Sequence, residues 1–101
     1  MDIIITARHG EVPEALRVRA EEVVMRLARL AHRPTTANVT FDMARQRALA
    51  ELRLTAARGV LYVASSEADD HRTALDRVAA KLRRQLDTAA PSPRRAGRTG
   101  R

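Results

Sequence analysis

Arg77, Lys81 and Arg84 stand at spacings of four and three within LDRVAAKLRRQL, residues 75–86. On a helix turning about 100° per residue they share one side, nearly opposite Leu75, Val78, Ala79, Leu82 and Leu86. Cations held on a rigid face can follow the phosphates of a nucleic-acid backbone. No acid shares this stripe. Asp76 falls on the flank between Arg72 and Arg83, where Arg72 is its expected local partner. A stripe of three is as readily a solvated face as a phosphate-binding ridge, so the rest of the chain has to decide.

Other chemistry finds little support. His9, His32 and His71 are scattered, and none has a metal-ligand partner at i,i+4. Ser65 and Ser66 carry no nucleophile signature, and Gly10, Gly59, Gly97 and Gly100 form no phosphate loop. Asp69 and Asp70 adjoin each other as a helix cap would. There is no cysteine, which removes disulfides and thiolate metal sites. The residues therefore predict no enzyme, no metal, no cofactor and no small-molecule substrate.

The elements that must carry the stripe follow from periodicity. IIITAR (3–8) is β-branched at its start and reads as a strand, and Gly10 marks a turn. Pro13 fits the first turn of a helix, with Glu11 and Glu14 near its positive end. Leu16, Ala20, Val23, Val24, Leu27 and Leu30 then recur at helical spacing until Pro34. TANVTFDMA (36–44), RALAELRLTAA (47–57) and VLYVASSE (60–67) read as strands, the last two joined by a hairpin at Gly59. The middle one is rich in helix-forming residues, but its period-2 alternation points to a strand. Asp69 or Asp70 caps a second helix running to about Asp87.

The expected fold is thus α+β, in the order β-α-β-β-β-α, with a four-stranded sheet and two helices on one face. At 101 residues this is one domain, able to bury roughly 60–65% of its unfolded surface. TAAPSPRRAGRTGR, from Thr88 onward, has no large apolar residue, and the tail over 89–101 is expected to be disordered.

Of the formal charge of +7, four arginines lie in that last stretch, so residues 1–87 carry 15 basic and 12 acidic residues, a net of +3. Arrangement therefore matters more than total charge. The first helix adds a strip through Arg19, Arg26, Arg29 and Arg33, diluted by Glu22. Two helices on one face could join their strips into a broad basic surface, which suits a structured RNA better than a DNA groove. Phe41 and Tyr62 are the only aromatics and sit where a core needs them, so base stacking has little to work with. No run approaches the roughly 18 apolar residues of a membrane span, and no interfacial cluster accompanies the charge. The start lacks the pattern of a secretory signal. A cytoplasmic chain without a membrane partner is the expectation.

Two blocks carry a family likeness. ITARHGEVPEALR (5–17) resembles the first strand, turn and helix start of the ribosome hibernation-promoting factor family, also called ribosome-associated inhibitor or sigma-54 modulation proteins. In DDHRTALDRVAAKLRRQL (69–86), Ala74, Leu75, Asp76, Lys81, Leu82, Arg84, Gln85 and Leu86 fall on the family's AAID…KL.RQL pattern. The likeness covers residues 1–88. It implies a fold related to double-stranded-RNA-binding domains and a partner in the small ribosomal subunit, whose mRNA and tRNA channel such proteins occupy. Translation is thereby blocked and idle ribosomes are preserved in hibernation.

Carried over, the resemblance puts Lys81 and Arg84 first as rRNA contacts. Arg17, Arg26 and Arg29 come next, then Arg8, while Arg77 is this chain's own addition to the ridge. Val23 and Thr88 stand where the family often has lysine, Arg72 replaces a frequent tyrosine, and Leu30-Ala31 replaces an aromatic pair. The chain lacks the C-terminal domain of long members, which implies a short-type member or a divergent paralogue. The expected function is a non-catalytic translation inhibitor bound to small-subunit rRNA. The alternative is a regulator of the same fold that binds an acidic protein.

Overall fold

Alternation decides the first strand: in DIIITA, Ile3 and Ile5 turn to one side and are half-buried, while Ile4 and Thr6 face the other and are exposed. The computed structural model describes residues 1–89, and this segment forms β1 (Asp2–Ala7). The expected disordered tail lies outside the described residues, apart from Ala89, which ends the last helix.

The first helix, α1 (Glu14–Ala28), begins one residue later than expected, with Pro13 at its N-cap (φ −58°, ψ 148°). The Pro13 carbonyl accepts the Arg17 N–H at 3.0 Å, so proline's missing donor costs nothing there. At the other end Leu30 and Ala31 donate to Leu27 and Ala28, three residues back, which tightens the last turn and closes the helix.

β2 (Thr36–Ala44), β3 (Arg47–Thr55) and β4 (Leu61–Ala68) complete one sheet in the order β1-β2-β3-β4. β1 and β2 are parallel and the other pairs antiparallel. The helix-prone segment around Leu49–Leu54 is therefore a strand with neighbours on both sides, where tertiary pairing overrides local propensity. It stops at Thr55, two residues short of the expected boundary, because Ala57–Gly59 forms a single 3₁₀ turn. The β2–β3 turn is made by Arg45 (φ 54°) and Gln46 (φ 66°), the type I′ geometry usually given to Asn-Gly.

The second helix, α2 (His71–Ala89), is capped by Asp70, not Asp69. One Asp70 carboxylate oxygen accepts the Thr73 N–H at 2.8 Å and the other the Thr73 hydroxyl at 3.0 Å. These bonds, the N–H first, hold the Asp70 carboxyl below the ordinary aspartate range. Asp69 instead meets Arg47 at 2.7 Å.

Both helices pack on one face of the sheet, giving the β-α-β-β-β-α arrangement the sequence predicts. Val24 and Leu27 of α1, Val39 and Phe41 of β2, Leu52 and Leu54 of β3, and Leu75, Val78, Leu82 and Leu86 of α2 form a single core. Phe41 lies in that core with its ring 5.6 Å from His71, edge to face, and Tyr62 is half-buried beside it. On the opposite face, Thr6, Thr40, Glu51 and Ser65 align in one row across the four strands.

Candidate nucleic-acid interface

α2 runs antiparallel to β4, and four helical residues rise about 6.0 Å, nearly the 6.7 Å that two strand residues span. Side chains at i, i+4 and i+8 of α2 can therefore meet alternate carbonyls of β4. They do: Arg77 donates to the Glu67 carbonyl at 3.0 Å, Lys81 to Ser65 at 2.8 Å and Gln85 to Val63 at 2.7 Å. These carbonyls lie on the outer edge of β4, which has no strand beyond it. Three donors from one helix thus occupy three successive outward carbonyls of that edge.

Arg84 stands on the same flank, in a shallow pocket with Tyr62, Gln85 and Thr88. Among the described residues, no carboxylate lies within 4 Å of Arg77, Lys81 or Arg84. A backbone carbonyl uses one N–H of Arg77 or Lys81 without neutralising its charge, and each keeps further donors. The three side chains are exposed along a rigid helix. The ridge predicted from spacing is therefore present and uncompensated.

The other candidates face elsewhere. Arg26 lines the groove between α1 and α2, together with Arg19, Asp76 and Arg83. Arg29 is exposed on the outer side of α1 beside Glu22. Arg17 is half-buried, and by helical projection it lies on the flank of α1 that faces away from α2. Arg8, just beyond β1, meets an Asp42 oxygen at 3.3 Å, and His9 meets the other at 2.7 Å. The Asp42 carboxyl is held low chiefly by the Met43 N–H, with His9 and Arg8 adding to it against partial desolvation.

Two expectations need correction. Asp76 pairs not with Arg72 but with Arg19 of α1, at 2.9 Å, across 57 residues of chain. The helices pack so that this flank of α2 faces its neighbour rather than its own preceding turn. The two basic strips also do not merge into one surface. By helical projection Asp76, Ala80, Arg83 and Asp87 form a crest between them, and Arg83 meets Asp87 at 3.8 Å. Arg77, Lys81 and Arg84 look toward the β4 edge, whereas Arg26 looks into the groove.

Two further residues take part that the basic stripe does not mark. Gln85 is uncharged, yet the spacing 77-81-85 marks it as the third member of the edge contact. Arg83 carries charge but lies on a flank of α2 beside Asp76, and only the packing of α1 brings it into the groove. Among the described residues no three acidic or histidine side chains gather as a metal site, and no helix is long and apolar enough to cross a membrane.

Known proteins place this geometry. No curated protein sequence matches the chain. Among solved structures, a ribosomal subunit interface protein from Coxiella burnetii is 22% identical and superposes with a TM-score of 0.75, over 87% of this chain and 96% of that one. The N-terminal domain of Protein Y from Thermus thermophilus is 28% identical with a TM-score of 0.75, over 87% of this chain and 98% of that one. Both share the sheet and the helix pair. Residues 3–90 match the sigma 54 modulation protein / S30EA ribosomal protein family, and the chain belongs to that family.

Proposed function

We propose that this protein is a non-catalytic translation inhibitor that binds the small ribosomal subunit and promotes ribosome hibernation. Residues 1–88 form its ribosome-binding domain, and 89–101 a basic tail. The observation that carries the reading is the Arg77–Lys81–Arg84 ridge, which has no carboxylate partner among the described residues and belongs to a chain of a ribosomal protein family. A fixed row of cations matches an rRNA backbone, whose phosphates repeat along one direction. Lys81 and Arg84 are the leading rRNA contacts, with Arg77 beside them. Arg26 and Arg29 come next, as a separate contact on the α1 side of the crest. Arg17 and Arg8 are secondary, Arg8 because Asp42 already balances it. Seated in the mRNA and tRNA channel, the domain excludes both ligands by volume, so no reaction is required. The cytoplasm, where ribosomes work, is the matching location.

Co-sedimentation with purified small subunits tests this. The protein should pellet at near-physiological salt, and log affinity should fall with log salt, with the ridge alone supplying a slope of roughly −2 to −3. The triple variant R77A/K81A/R84A should lose that part of the slope. A protein that stays in the supernatant would remove the ribosomal reading and leave an acidic protein partner in its place.

A further inference from the structure

The sheet has two outer edges, and they are treated differently. At β4 the carbonyls of Val63, Ser65 and Glu67 each receive a side-chain donor from α2. At β1 nothing comparable occurs. Asp2 and Arg8 donate their N–H groups to Thr35 and Phe41, on the β2 side. By alternation Ile4 and Thr6 also face β2, and Ile3, Ile5 and Ala7 turn their N–H and C=O groups outward. Among the described residues no hydrogen bond reaches those outward groups. Ile4 is 49% exposed on the adjoining surface. An open, β-branched edge of this kind is a template for another strand.

We propose that β1 pairs antiparallel with β1 of a second copy of this chain, joining two sheets into one of eight strands. The sequence of the edge is self-complementary in one register. With Ile5 on the two-fold axis, Ile3 faces the partner's Ala7, Ile4 its Thr6 and Asp2 its Arg8. Residues of like parity then oppose each other, so the helix-covered faces of both copies stay on one side. The outward-turned residues 3, 5 and 7 fall in the hydrogen-bonded pairs such a ladder needs. Each end gains an Asp2–Arg8 cross-strand ion pair, and Arg8 is 63% exposed and can turn from Asp42. A register centred on Ile4 would satisfy the backbone too, but it places Asp2 opposite Thr6 and leaves Arg8 unmatched. Charge therefore selects the first. A single strand contact is small, at or below about 1,200 Å² of buried surface, so the dimer is weak and concentration-dependent. It leaves both β4 flanks free, one at each end of the joined sheet, and does not compete with the ridge.

Analytical ultracentrifugation of the full chain from about 10 μM to about 1 mM should show a monomer–dimer equilibrium. Ile5→Pro removes an N–H that the monomer's ladder does not use, and should weaken the dimer about tenfold or more. Asp2→Lys repeats the test on an exposed side chain, without altering the backbone, and should also weaken it. The chain has no cysteine, so single substitutions report the register by air oxidation. Ile5→Cys places two sulfurs across the axis, with Cα atoms about 5.5 Å apart, and should form a covalent dimer. Ile4→Cys, which would meet itself only in the shifted register, should not. A monomer throughout the concentration range would overturn the proposal. So would a dimer that survives both weakening variants, or one cross-linked through Ile4→Cys and not Ile5→Cys.

Discussion

The Lys81 ammonium donates to the Ser65 carbonyl at 2.8 Å, tying the middle of α2 to the outer edge of β4. The side chain proposed to meet RNA phosphate is thus held in place by the protein's own backbone before any RNA arrives. Lost side-chain freedom is a cost of binding, and a pre-positioned lysine has less of it left to lose.

This divides charge from positioning in a measurable way. Gln85→Ala removes the same kind of edge contact as Lys81→Ala but no charge. Urea unfolding should show a loss of about 0.5 kcal/mol for Gln85→Ala, since the freed Val63 carbonyl can still bond water. Its salt dependence of subunit binding should match that of the unaltered protein. Lys81→Ala should reduce that slope by about one.

The Arg19–Asp76 pair joins the helices with partners 35% and 44% exposed, so solvent screens it. A double-mutant cycle should give a coupling below about 1 kcal/mol. The larger effect of Asp76→Asn is electrostatic. It removes the acid from the groove that Arg19, Arg26 and Arg83 line. RNA binding should tighten and its salt slope steepen by up to about one, as read by filter binding across a salt series.

Acid should weaken the fold through Asp70 and Asp42. Both carboxyls titrate below the ordinary aspartate range, Asp70 through the Thr73 N–H and hydroxyl, Asp42 chiefly through the Met43 N–H. A depressed folded pKa means that the unfolded chain takes up the proton first. The stabilisation is therefore whole above the unfolded pKa of about 4 and disappears as pH falls through the lower folded values. Thermal melts between about pH 5 and pH 2 should show Tm falling, and Asp70→Asn, which still caps but does not titrate, should flatten that fall.

Arg45 and Gln46 occupy left-handed backbone without a glycine or asparagine between them. The pair R45N/Q46G supplies residues suited to the turn and should raise stability by about 1 kcal/mol, or Tm by roughly 4–8 °C. An unchanged Tm would show that the flanking strands already hold this turn without strain.

Which features were legible in the chain depends on how local their causes are. The helices and the core face of β3 follow from periodicity, and a cap at Asp69 or Asp70 from its place before an apolar run, with the Thr73 contacts selecting Asp70. The ridge follows from spacing within three turns of helix. The partner of Asp76 does not, because Arg19 lies 57 positions away and only packing brings the two together. Nor could the expected merger of basic strips be judged by counting arginines, since it turns on which flank of α2 faces α1. The Arg45–Gln46 turn carries none of the usual turn residues, so its type emerges only from the register that sets Ala44 opposite Arg47. Gln85 was hidden by its neutrality.

The seam between α2 and β4 behaves like a vernier. Two rulers with divisions of about 6.0 and 6.7 Å slip by about 0.7 Å per mark, so only a few successive marks stay within reach of a side chain. Here three coincide. The next mark toward the start of α2 is Thr73, which is short and turns instead to Asp70. Inserting one residue before Arg77 would rotate the following turns by about 100° and move all three donors off scale at once. Substitutions along the seam are absorbed singly, whereas a change in helix length would not be, which ties the length of α2 to the pitch of its neighbour.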